Sequence, residues 1–71
     1  MKLTWKDAED IGIALYESHP GTDPLKVRFT DLLEWVLKVE DFVGLREESN
    51  EAKLEAIQMA WWEEWKDNQQ Q

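Results

Sequence analysis

The sequence predicts a mainly α, compact three-helix single domain. Three observations lead there. Apolar residues recur at helical spacing in three separate stretches, each opening on residues of the kind that cap helices. Pro or Gly interrupts the chain between those stretches. At 71 residues there is room for one core and no second domain, and neither an internal repeat nor a linker is visible.

The first helix is predicted over Trp5–Ser18. Thr4 followed by Asp7 has the spacing of an N-terminal capping pair, with Asp where Glu is usual. At about 100° per residue, Trp5, Ala8, Ile11, Gly12, Leu15 and Tyr16 share one arc, while Lys6, Asp7, Glu9, Asp10 and Glu17 take the other. Ile13 sits alone among those charges. It reads as a tolerated exposed apolar residue, with a contact spot for a partner as the alternative. His19-Pro20-Gly21 ends the helix. Asp23 then caps a short turn with Pro24 at its first helical position, and Val27-Arg28-Phe29 reads as a brief extended connector.

The second helix is predicted over Asp31–Phe42 with Thr30 as its cap. Asp31 and Glu34 favour the positive end of its dipole. Leu32, Leu33, Trp35, Val36, Leu37 and Val39 cover more than half its circumference, so it should be packed on two sides. Gly44 breaks the pattern, and residues 43–48 read as a loop with some turn structure. The third helix should open at Ser49-Asn50-Glu51 and run to about Trp65, with Leu54, Ile57, Trp61 and Trp65 as its core stripe. Trp62 falls on the edge of that stripe. Residues 1–66 are read as the helical domain. Residues 67–71 are read as a flexible polar tail with nothing to bury.

Five Trp, with Tyr16, Phe29 and Phe42, supply much of the core, since a buried aromatic covers on the order of 150–250 Å². Even so, a chain this short is stabilised by only roughly 3–5 kcal/mol. Trp35, Trp61 and Trp65 are expected in the core, joined by Trp5. There is no Cys, hence no disulfide, thiolate metal site or Cys nucleophile.

Net charge is −8, from 16 acids against 8 Lys and Arg. Such a chain is repelled by nucleic acid and favours basic protein surfaces or cations. Catalysis has little to build on. The one His ends a helix, Thr4, Thr30 and Ser49 stand at caps, and no Gly-rich phosphate loop is present. No tightly bound cofactor is expected. Glu40 and Asp41 with Glu47 form a weak candidate for a hard cation or loosely held iron(II), against the plainer reading of a solvated acidic face. Met1 and Lys2 run directly into a helix start, and no apolar run approaches the roughly 18 residues of a membrane span. A cytoplasmic monomer that is not an enzyme is the expectation.

The sequence resembles the IscX family (also called YfhJ), small acidic proteins of bacterial iron–sulfur cluster assembly. The residues that carry the resemblance begin with Trp5-Lys6-Asp7, Asp10-Ile11-Gly12 and Ala14-Leu15-Tyr16. Pro20, Asp23-Pro24 and Val27-Arg28-Phe29-Thr30-Asp31 follow. Trp35, Glu40-Asp41-Phe42, Ser49-Asn50-Glu51, Leu54-Glu55-Ala56-Ile57 and Trp61 complete it. The match spans about Leu3 to Glu64. It implies a helical fold related to the winged helix. It further implies binding to the cysteine desulfurase IscS through acidic residues, in competition with bacterial frataxin, and weak iron binding in a regulator or iron donor.

Two departures from the family pattern stand out. Val43-Gly44-Leu45-Arg46 occupies the place where an acidic run often begins, and Ile13 stands where a charge is expected. A basic patch on the desulfurase would be met by acids pointing away from the core, which on the helical wheel are Asp7, Glu9, Asp10, Asp31, Glu34 and Asp41, with Glu40 at the margin of the apolar arc. The alternatives are a carboxylate-based iron carrier, or a winged-helix-like interaction module outside cluster assembly.

Overall fold

The computed structural model describes residues 2–69. It is a mainly α single domain of three helices: α1 (Ala8–Ser18), α2 (Phe29–Leu37) and α3 (Glu51–Gln69). Short 3-10 turns at Pro24–Lys26 and Arg46–Glu48 join them. Among the described residues there is no strand, only a parallel bridge between Leu3 and Phe42.

α1 begins three residues later than the pattern of apolar residues indicates. The Asp7 carboxylate accepts hydrogen bonds from the Thr4 backbone N–H (2.8 Å) and hydroxyl (3.2 Å). The Asp7 N–H donates to the Thr4 carbonyl at 2.9 Å. The Thr4–Asp7 pair therefore closes a separate tight turn, and Asp7 becomes the residue before the helix. This swings Trp5 off the helix and into the core, where its indole N–H donates to the Leu45 carbonyl at 2.8 Å. Trp5 is buried as expected, but it pins the loop 43–45 rather than extending the α1 stripe.

α2 is shifted and shorter than predicted. It starts at Phe29 because Arg28, not Thr30, is its N-cap, and the Leu32 N–H donates to the Arg28 carbonyl at 2.8 Å. Phe29 is drawn into the first turn by packing against the core. The helix ends at Leu37 rather than Phe42. Lys38 shares its N–H between the Glu34 and Trp35 carbonyls, and Val39 and Phe42 make i→i−3 bonds that tighten the chain into turns. The backbone beyond is claimed by the N-terminal segment. The Leu3 N–H donates to the Asp41 carbonyl and the Val43 N–H to the Leu3 carbonyl, each at 2.8 Å. That pairing spans almost 40 residues of sequence and leaves no trace in local periodicity.

The caps at Asp23 and Asn50 are as predicted. The Asp23 carboxylate accepts from the Leu25 N–H at 3.0 Å, and the Asn50 side-chain carbonyl from the Lys53 N–H at 2.8 Å. α3 continues past Trp65 to Gln69, so residues 67–69 of the expected tail are helical; residues 70–71 lie outside the described ones.

The core is Leu3, Trp5, Ile11, Leu15, Leu32, Val36, Leu54, Ile57 and Trp61. Gly12 is where α1 and α3 approach. A Cβ on it would fall 2.7 Å from the Trp61 backbone nitrogen and 2.8 Å from the Ala60 carbonyl carbon. Trp61 is fully buried at the centre. Trp35, expected in the core, is half-buried: it covers the end of α1 by stacking on His19, ring centroids 4.2 Å apart and planes 12° from parallel. Trp65 is half-buried too, and half-buried Trp62 lies under the Lys66 ammonium, 4.5 Å from its ring centroid.

Candidate partner-binding surface

The acids picked out on the helical wheel point outward, but the fold uses two of them locally. The Asp7 carboxylate is held by Thr4. Glu34 is bound by Arg46, Oε2 to Nη2 at 2.6 Å, on the outer face of α2. Glu9 and Asp10 stand exposed in the first turn of α1, Asp31 in the first turn of α2, and Glu40 and Asp41 in the turn after it. Among the described residues, Glu34 is the only one of the predicted docking acids in an ion pair.

The second half of α1 and the 38–41 turn form the two walls of a surface groove. Ala14, Glu17 and Ser18 line one wall and Lys38 to Asp41 the other, with Leu3 between them. The backbone pairing of Leu3 with Asp41 and Val43 holds the turn there. The groove brings Glu40 and Asp41 together with Glu17, which wheel reasoning placed on the charged arc without a role. Asp10 lies about two turns N-terminal to Glu17, on the same face of α1. The result is an acidic edge built from elements distant in sequence, with Lys38 as the cation within it. Glu9 does not join this edge; it borders a different groove, between α1 and α3. The signal for Glu17 was its spacing from Asp10, but nothing local announces that the 38–41 turn comes to meet it.

The candidate metal ligands are not gathered. Glu40 and Asp41 are exposed in the turn, and Glu47 is exposed in the 3-10 turn beyond the loop. Among the described residues no three His, Asp or Glu side chains converge as a cation would require. The loop between them explains part of this. Val43 and Leu45 point to solvent, Gly44 packs against Trp5 and Phe42, and Arg46 turns to Glu34. The carboxylates present do not fit a preformed iron site.

Comparison with known proteins decides the family. A family model described as iron–sulphur cluster assembly matches residues 3–66. The chain belongs to that family, the IscX family. It is also similar to an uncharacterized protein of Pseudomonas aeruginosa, 47% identical over 64 residues that cover 90% of this chain and 97% of that protein. For this IscX-family chain the matched segment takes in all three helices up to Lys66, and with them the whole acidic edge. No helix among the described residues is long and apolar enough to cross a membrane.

Proposed function

We propose that this chain is an acidic adaptor of iron–sulfur cluster assembly that docks on the cysteine desulfurase IscS, in competition with bacterial frataxin, and catalyses no step itself. The observation that carries the reading is the acidic edge of Asp10, Glu17, Glu40 and Asp41, whose carboxylates hold no ion pair among the described residues. Unpaired surface carboxylates accelerate encounter with a basic partner and set its orientation. Asp31, exposed in the first turn of α2, adds a further carboxylate without an ion pair among the described residues. Glu34 contributes less, because Arg46 already neutralises it.

Iron(II) enters this reading as loosely held cargo. Scattered carboxylates compete poorly with water for it, so affinity in the micromolar range or weaker is expected. Nanomolar affinity by calorimetry would favour an iron carrier instead. The test of the adaptor reading is a competition. Fluorescently labelled chain is bound to purified desulfurase and frataxin is added. Displacement is expected. Absence of any complex would remove the reading, and simultaneous binding would remove the shared site.

A further inference from the structure

An apolar groove of about 480 Å³ lies between the start of α1 and the second half of α3. Its floor is Ile13, Ala56, Met59 and Ala60. Ile13 and Met59 are 40% and 43% exposed, so α1 and α3 each present a large apolar side chain to solvent in one groove. Its rim is acidic: Glu9 on α1, and Glu63, Glu64 and Asp67 on α3. Lys66 partly screens Glu63 from 3.7 Å, whereas Glu9, Glu64 and Asp67 have no ion pair among the described residues.

We infer that this groove is a second interaction surface, and that it takes a basic amphipathic helix of a protein partner. Length supports a helix. From Ala56 to Asp67 the α3 wall runs about 16 Å at 1.5 Å per residue, room for roughly three helical turns. Chemistry selects the occupant. An apolar stripe would cover Ile13 and Met59, and Met adapts its shape to whatever enters. Lys or Arg flanking that stripe would meet the rim carboxylates. A second copy of this chain is disfavoured, because it carries a net charge of −8 and would present acid to acid. An anionic membrane is disfavoured on the same ground.

The test uses the whole chain and a synthetic helix of Leu and Lys, with Leu on one face and Lys on the other. A control peptide of equal charge replaces Leu with Gln. Side-chain methyl resonances of Ile13 and Met59 report the site, and anisotropy of the labelled peptide reports affinity. The Leu/Lys helix is expected to bind, to shift both methyl signals, and to bind about tenfold more weakly to Ile13→Gln/Met59→Gln. Both positions are exposed, so that variant keeps its fold. Charge reversal at Glu40 and Asp41, in the turn after α2 and outside the groove lining, should leave the methyl shifts in place. Equal binding by the Gln control, or unmoved Ile13 and Met59 signals, would overturn the inference. So would concentration-dependent dimers of the free chain in ultracentrifugation, if Ile13→Gln/Met59→Gln abolished them, since the groove would then belong to a second copy.

Discussion

The Arg46 guanidinium lies 2.6 Å from the Glu34 carboxylate, tying the loop after α2 to the outer face of that helix. Both side chains are about half exposed, at 53% and 47%, so solvent screens the pair and its contribution is small, about 0–1 kcal/mol. Its larger consequence is electrostatic: an acid that α2 would otherwise present to a partner is neutralised in place. Arg46→Gln should shift the thermal midpoint little while speeding association with the desulfurase at low salt. Stopped-flow association rates check this, and an unchanged rate would show that α2 lies outside the interface.

Gly12→Ala separates two opposed effects. Ala favours helix by about 1 kcal/mol over Gly. Against that, the added methyl meets the α3 backbone at 2.7–2.8 Å, and backbone cannot yield as a side chain end could. Overpacking of this kind costs about 1–3 kcal/mol, so the clash wins and the variant should melt at lower temperature. A higher melting temperature would mean that α1 and α3 are not so closely apposed.

Trp61 and Trp35 should differ sharply on truncation. Trp61 is fully buried, and its replacement by Ala should cost roughly 3–5 kcal/mol, comparable to the whole stability expected at this size. Trp35 is only half-buried, stacked on His19 with its ring centroid 5.9 Å from that of Trp61, so Trp35→Ala should leave a cooperative, lower-melting fold. Circular dichroism melts of both variants decide the order.

Most of the helical architecture was legible in the sequence because it is written locally. The periodic stripes of α1 and α3, the Asp23 and Asn50 caps and the stop at His19-Pro20 all act within a few residues. What was not legible depends on contacts between distant residues. The Leu3–Asp41–Val43 pairing ends α2 early, and the Trp5–Leu45 hydrogen bond takes Trp5 off α1. For the docking acids that lie on helices, Glu9, Asp10, Asp31 and Glu34, the outward direction followed from the helical wheel; Asp7, Glu40 and Asp41 lie off the helices, where no wheel applies. The grouping of the acids did not follow from it: Glu17 joins Glu40 and Asp41 only through the turn that Leu3 holds, and Glu34 is withdrawn by an arginine twelve residues away in sequence.

The central claim is that the edge formed by α1 and the 38–41 turn docks a basic partner. The direct measurement is the affinity of purified desulfurase for the native chain and for Glu17→Lys/Asp41→Lys, at low and at high salt. The substitutions suit the fold. Lys at the end of α1 favours the helix dipole, Lys38 across the groove opposes it, and the two effects leave stability within about 0.5 kcal/mol. The native chain should bind at low salt and weaken as salt rises. The variant, with unchanged circular dichroism, should bind roughly tenfold more weakly and respond less to salt. Equal affinity of the two chains at low salt would contradict the account.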